Sequence, residues 1–433
     1  MNLENLLSLF RDKGCSKVYV KELSPNDNSK NQVYLGGSYD VLNILPFNEI
    51  KAEGIGDWKR ERFKATVNFG WIGEDGNIFN APFAQLILYP KYPEVRFSGF
   101  LKKCDNPPSE IMSGREAGRL LFLGVADGGK LLGKAVFPDS EVAQEFVNYS
   151  PKEETGLFKV LYTKRIEDHR AQLLTELRRI TSLGWIDSKR LDRTGNILPC
   201  NSSNCGGYTL EAELGITPNG YSEPDYLGWE IKQFGVKDLN KTSSAVVTLM
   251  TPEPDSGYYH EYGASDFVRK YGYSDLRGRI DRLNFGGIFK AGLTNVRTGL
   301  KLEISGFDKT EKQITSTGGK IILLDNQENE AAAWTFSSVI SHWKRKHTNA
   351  CYIPSLLKQN GSRKYKYGNN ILLGLGTDFV LFLAQLSLGN IYYDPGIKIE
   401  NASTNPRTKQ RSQFRIKSRF LSELYRNSEW VTL

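Results

Sequence analysis

At 433 residues, with 39% hydrophobic and 24% charged positions, the chain has the balance of a globular protein of two domains, which excludes a fibrous or wholly disordered one. Lys and Arg outnumber Asp and Glu by 57 to 49, and the net charge of +8 favours a polyanionic partner. Cys15, Cys104, Cys200, Cys205 and Cys351 contain no CxxC pair and no second ligand pair for zinc, so they read as free thiols in a reducing compartment.

The chain opens on "MNLENLLSLFRDKG", an amphipathic helix of mixed charge rather than a signal peptide. Short apolar runs then alternate with turn clusters: "KVYVKEL", "VYLGG", "FKATVNFGWI", "FAQLILYP", "EVRFSGFL" and "GRLLFLGV" read as strands. Many short strands with Gly and Asn punctuation predict a β-barrel or sandwich. "GVADGGK" at 124–130 has the spacing of a phosphate loop, but Leu131 stands where Ser or Thr is needed, and the segment reads as a hairpin turn. "DSEVAQEFVNY" closes the domain as a helix capped by Asp139 or Ser140. The polar stretch "SPKEETG" at 150–156 divides the chain into domains 1–155 and 156–433.

Beyond it the pattern changes. "RIEDHRAQLLTELRRITSLGWI" sets Ile166, Leu173, Leu177 and Ile180 at helical spacing, and helices then mix with strands as in an α/β domain. The most apolar stretch, 371–389, contains Asp378 and is cut by glycines into a strand-like and a helix-like piece, so it reads as core rather than a membrane span.

The stretch "EPDYLGWEIK" at 223–232 crowds Asp225, Glu230 and Lys232 together. Period-2 geometry sends Glu230 and Lys232 to one face of a strand and Trp229 and Ile231 to the other. Two carboxylates, with the Ile231 carbonyl, can hold Mg²⁺ against a phosphate, and a lysine beside them can orient water or neutralise developing charge. Glu211, on a short helix over Thr209–Leu214 ended by Gly215, can project into the same site. The ten residues alone fit an ion pair on a solvated strand equally well. Glu49-Ile50-Lys51 repeats the tripeptide with Asp40 upstream, so context has to separate the two copies.

That context carries a resemblance. "GGYTLEAELGI…NGYSEPDYLGWEIKQF" resembles the catalytic core of the MvaI/BcnI group of restriction endonucleases and, more distantly, MutH-type nicking enzymes. Their pattern is a Leu-Glu-x-x-Leu-Gly helix, a Pro-Asp and a Glu-x-Lys strand, matched by Glu211, Leu214 and Gly215, then Pro224 and Asp225, then Glu230 and Lys232. The copy at Glu49 lacks the helix and the Pro-Asp. The resemblance covers about residues 160–433 and implies an α/β PD-(D/E)xK restriction-endonuclease-like domain. It assigns catalysis to Asp225, Glu230, Lys232 and Glu211, and a Mg²⁺ ion to Asp225, Glu230 and Ile231.

Upstream, "VKELSPNDNSKNQVYLGG" and "YPKYPEVRFSGFL" resemble the two recognition arms of the EcoRII effector domain, a B3-like DNA-binding β-pseudobarrel. The resemblance offers Gln32, Tyr34, Lys91 and Arg96 as DNA contacts. Near the other end, "RTKQRSQFRIKSR" carries six cations and no acid. Such a run is often a solvated face. In the family it resembles, guanine-reading arginines lie here, which points to Arg411 and Arg415 for bases and to Arg407, Lys409 and Lys417 for phosphates.

The expectation is a prokaryotic, cytoplasmic type II restriction endonuclease, type IIE-like and monomeric. It would cleave double-stranded DNA with Mg²⁺ at a CCWGG-type site, ahead of CCSGG or CCNGG. The N-terminal domain would bind a second copy of the site, and a separate methyltransferase would protect the host. The alternatives are a MutH-like nicking enzyme and a non-catalytic DNA-binding protein. The presence of Asp225, Glu230 and Lys232 argues against the second alternative.

Overall fold

The computed structural model describes residues 1–25, 32–55, 60–91, 93–149, 153–163, 168–217, 225–343 and 347–433, in two units, Met1–Glu167 and Asp168–Leu433. Among the described residues no helix is long and apolar enough to cross a membrane. The stretch at 371–389 splits as its glycines suggest, into strand Asn370–Thr377 and helix Phe379–Ser387. Asp378 sits between them and caps the helix, accepting the Val380 N–H at 2.9 Å.

The first unit holds two sheets. One runs, in spatial order, Glu154–Thr155, Phe158–Tyr162, Lys17–Glu22, Leu120–Val125, Leu131–Val136, Phe69–Ile72, Ile78–Asn80. The other runs Val33–Gly36, Glu94–Ser98, Gln85–Tyr89, Arg62–Thr66, Ile50–Glu53. Neither order returns to its first strand among the described residues, so the strands form two open sheets and no closed barrel. Helices Leu3–Asp12 and Glu141–Asn148 bury Leu6, Phe10, Val142 and Phe146 against the first sheet. Of the two candidate caps on the later helix, it is Ser140 that accepts the Ala143 N–H. The phosphate-loop look-alike is the turn of the hairpin Leu120–Val125/Leu131–Val136, with Gly128 and Gly129 both at φ 79°.

The domain break differs from the sequence expectation at 155/156. Phe158–Tyr162 pairs with Lys17–Glu22, setting Lys17 opposite Tyr162, so the first unit continues past the polar stretch. A strand added from about 140 residues away leaves no local composition signal. Residues 150–152 of that stretch lie outside the described residues.

In the second unit the long strand Asn349–Asn360 is the hub. It pairs antiparallel with Ser362–Tyr367 and Asn370–Thr377 and parallel with Glu230–Gly235. Helix His169–Ser182 buries Leu173, Leu174, Leu177 and Ile180 on this sheet, against Ile231, Ile353 and Leu373. The helix is capped by Asp168, and Ile166 lies outside the described residues.

Candidate active site

The strand Glu230–Gly235 alternates as period 2 requires. Trp229 and Ile231 enter the core beneath helix His169–Ser182, while Glu230 and Lys232 face the other way. That other face is not open water. Glu230 is only 2% exposed and Lys232 18%, and their side chains meet at 2.7 Å. A buried carboxylate holds its charge only where cations and hydrogen bonds replace water.

Asp225 reaches this pair through a tight turn. Tyr226 and Trp229 exchange both backbone hydrogen bonds, at 3.0 and 2.8 Å, across Leu227 at φ 49° and Gly228 at φ 82°. Positive φ at both central residues is the type I′ hairpin, whose twist suits the strand that follows. The turn folds Asp225 back so that Oδ2 accepts the Ile231 N–H at 3.2 Å. The Asp225 carboxylate is thereby fixed beside the backbone of the same strand that carries Glu230 and Lys232. Pro224, one residue earlier, lies outside the described residues.

Glu211 stands on helix Cys205–Glu213, which starts four residues before the predicted Thr209. Gly206 allows this helix to lie against the catalytic strand, since a Cβ there would fall 2.6 Å from Gln233 Oε1. Glu211 and Glu213 both add negative charge near the Tyr367 hydroxyl, whose pKa burial has already pushed up. Among the described residues no three His, Cys, Asp or Glu side chains converge as a ready-made metal cage.

Sequence reasoning missed Tyr352 and Tyr425. Tyr352 stands in register with Lys232, and its hydroxyl lies 2.7 Å from that of Tyr425, with both side chains buried. Burial is the main cause that pushes both phenols up, and the nearby Glu230 charge pushes the same way. They stay neutral and form the wall behind Glu230. Only the strand partner, about 120 residues on, could have revealed them.

Cys200 and Cys205 are joined by a disulfide, against the expectation of free thiols. The turn between them brings their Cα atoms to 5.7 Å, within disulfide reach, just where the Glu211 helix begins. Cys15, Cys104 and Cys351 are free, and burial with the Asp127 charge pushes the Cys15 thiol up to about 12.

The basic run splits over two sheets. Arg407–Lys409 pairs with Gly396–Glu400, whereas Phe414–Lys417 pairs with Val246–Met250 and Ile391–Tyr393. Arg407, Lys409, Arg411 and Lys417 are exposed. Arg415 is more enclosed and is held by Asp394 at 2.6 Å. His347, which the sequence left unassigned, is buried and stacked on Trp343 at 4.2 Å. Lys344–Lys346 lie outside the described residues.

In the first unit three of the four proposed contacts come together. Tyr34 stands in register with Arg96, and Arg96 donates to Gln32 Oε1 at 3.2 Å while pairing with Glu94 at 3.1 Å. Lys91 is exposed at the turn between strands Gln85–Tyr89 and Glu94–Ser98.

Comparison with known proteins fits this geometry. The family model for the MvaI/BcnI restriction endonuclease family matches residues 174–425, a span that includes helix Cys205–Glu213, the tight turn and the Glu230 strand. No curated protein matches the chain. Among solved structures the chain is similar to a complex of restriction endonuclease MvaI with cognate DNA substrate, at 19% identity and TM-score 0.46, covering 61% of this chain and 99% of that one. It is also similar to MvaI in the absence of DNA, at 17% identity and TM-score 0.35, covering 62% and 100%. With its family model matched over more than half its length, the chain belongs to the MvaI/BcnI restriction endonuclease family.

Proposed function

We propose that the chain is a Mg²⁺-dependent type II restriction endonuclease that hydrolyses phosphodiester bonds of double-stranded DNA at a CCWGG-type site. The observation that carries this reading is the burial of the Glu230–Lys232 pair beside an Asp225 carboxylate fixed on the Ile231 amide. A solvated ion pair, the competing account of these residues, does not need that burial.

The donor set suits a hard cation. Asp225, Glu230 and the Ile231 carbonyl offer only oxygen, as Mg²⁺ prefers, and none of the free thiols is in the motif. When bound, the ion would polarise the phosphate and lower the pKa of a water on it. The chain's own residues do the rest. The tight turn holds Asp225 in place before substrate arrives, which reduces reorganisation during reaction. Lys232, enclosed and 2.7 Å from Glu230, would donate to the attacking water or to a phosphate oxygen as charge develops there. Glu211 would approach from the adjoining helix.

The first unit is read as a B3-like DNA-binding effector domain, with Gln32, Tyr34, Lys91 and Arg96 as contacts for a second copy of the site. Two linked readers raise each other's effective concentration on DNA with two sites, the behaviour of a type IIE enzyme. The enzyme would act as a monomer beside a separate protective methyltransferase. Incubation with plasmid DNA and Mg²⁺, followed by sequencing of the ends, tests the whole reading. Linear product with ends at one sequence supports it, and accumulation of nicked circles alone would instead support a MutH-like enzyme.

A further inference from the structure

One sheet of the second unit has two unlike faces. Its strands stand in the order Tyr273–Ser274, Arg282–Gly286, Gly396–Glu400, Arg407–Lys409. Cross-strand partners share a face, so the register sets Arg282, Glu400 and Arg407 in one row and Tyr273, Asn284, Lys398 and Lys409 in the next. Phe285, Ile397 and Ile399 point the other way and are buried. Along the cationic face Gly286 stands opposite Gly396. Two residues without side chains leave a trough, and a cavity of about 310 Å³ lies there, bordered by Tyr273, Arg282, Asn284 and Lys398.

Two short loops flank Tyr273. In the first, Asp275 Oδ1 accepts the N–H groups of Arg277 and Arg279 at 2.9 and 3.2 Å, and Oδ2 accepts from Asn284 at 3.0 Å. In the second, Asn295 Oδ1 accepts the N–H groups of Arg297 and Thr298 at 3.1 and 3.3 Å. The Arg297 guanidinium lies over the Tyr273 ring, 4.9 Å from its centre. Each pinned loop raises an aliphatic side chain beside its arginines: Ile280 is 95% exposed and Val296 100%. A single exposed aliphatic residue is ordinary. Here two stand on rigid, arginine-bearing loops at the rim of one cavity, with Leu276 and Leu293 also exposed nearby.

The cavity favours an anion. Arg277, Arg279, Arg282 and Lys398 border it, while Asp275 is engaged by its own loop, by Asn284 and by Arg282 at 3.3 Å. Its volume is at the small end of the roughly 300–1,000 Å³ of ligand pockets, suited to one compact ligand. Apolar wedges unstack DNA base steps, and a nucleotide taken out of the stack needs a polar, partly aromatic pocket.

We propose that Ile280 and Val296 wedge a DNA duplex open at one base step and that the cavity receives the displaced nucleotide. Arg282, Asn284 and Lys398 meet its base, and Arg277 and Arg279 its flanking phosphates. The proposal rests on the DNA-endonuclease reading and adds a distortion of the substrate that the catalytic residues do not require.

The test uses the full chain in EDTA with a short duplex carrying one CCTGG site. 2-Aminopurine replaces the adenine, or pyrrolo-cytosine replaces each cytosine in turn, so every base pair is probed. Binding is followed by anisotropy and unstacking by probe fluorescence. Binding should raise the fluorescence several-fold at one position. The double variant Ile280→Ala/Val296→Ala should still bind and should return that signal to the free-duplex level. A bound duplex without a rise at any position, or a rise that survives the double variant, overturns the proposal alone. Absence of binding overturns the endonuclease reading and this proposal together.

Discussion

Glu49-Ile50-Lys51 and Glu230-Ile231-Lys232 are one tripeptide placed in two settings. At the first, strand Ile50–Glu53 is an edge strand of its sheet, and Glu49 and Lys51 meet at 3.1 Å while 62% and 70% exposed. At the second, the strand lies against Asn349–Asn360, and the pair is closed off from water by the Tyr352–Tyr425 wall. The same two charges interact severalfold more strongly where water is excluded. The sequence difference behind this lies outside the tripeptide, in the Leu227-Gly228 turn, the Gly206 contact and the strand supplied from 349 onward.

The largest expected effect is on catalysis. Lys232→Ala should lower the rate of DNA cleavage by ~10²–10³-fold or more, the usual loss when a group stabilising developing charge is removed. Lys51→Ala should leave that rate unchanged. Equal losses in the two variants would erase the distinction between the copies. The turn gives the next effect. Gly228→Ala forces a side chain onto φ 82° and should cost about 1–2 kcal/mol, read as a lower urea midpoint, with cleavage falling as Asp225 loses its fixed position. Retained stability and activity would show that the turn does not hold the site.

The C-terminal cations extend the contrast between enclosed and exposed charge. Arg411→Ala or Arg415→Ala should weaken preference for the site by roughly 1–3 kcal/mol if each contact is bidentate to guanine, measured by competition between duplexes. Lys409→Ala should weaken binding to all sequences and reduce the slope of log affinity against log salt by about 0.9. A uniform loss in all three variants would make the run an electrostatic patch only. The smallest effect belongs to the exposed copy. Glu49→Ala should change unfolding free energy by no more than the ~0–1 kcal/mol typical of exposed ion pairs.

Much of this was legible locally. Alternation along 229–232 gave the two faces of the strand, Gly215 the helix end, and Asp127-Gly128-Gly129 the hairpin. These signals act within a few residues. What stayed hidden depends on distant partners. The strand opposite Lys232 lies about 120 residues later, and the strand that extends the first unit pairs with one about 140 residues earlier. Such pairings are set by the whole core rather than by local pattern. The basic run looked like one surface because charge is contiguous in sequence, but Gly396–Glu400 and Ile391–Tyr393 draw its two ends into different sheets. Cys200 and Cys205 were misread because composition argued from compartment, whereas their pairing depends on the turn that brings them together.

The central claim is that Asp225, Glu230 and Lys232 form a metal-dependent phosphodiesterase centre. Cleavage of a plasmid carrying CCWGG sites, titrated with Mg²⁺ for the unmodified chain and for Asp225→Ala, tests it most directly. The account predicts cutting that rises with Mg²⁺, stops in EDTA and is absent from the variant, while both proteins still bind the DNA. Cutting that persists in EDTA, or an Asp225→Ala protein with full activity, would contradict it.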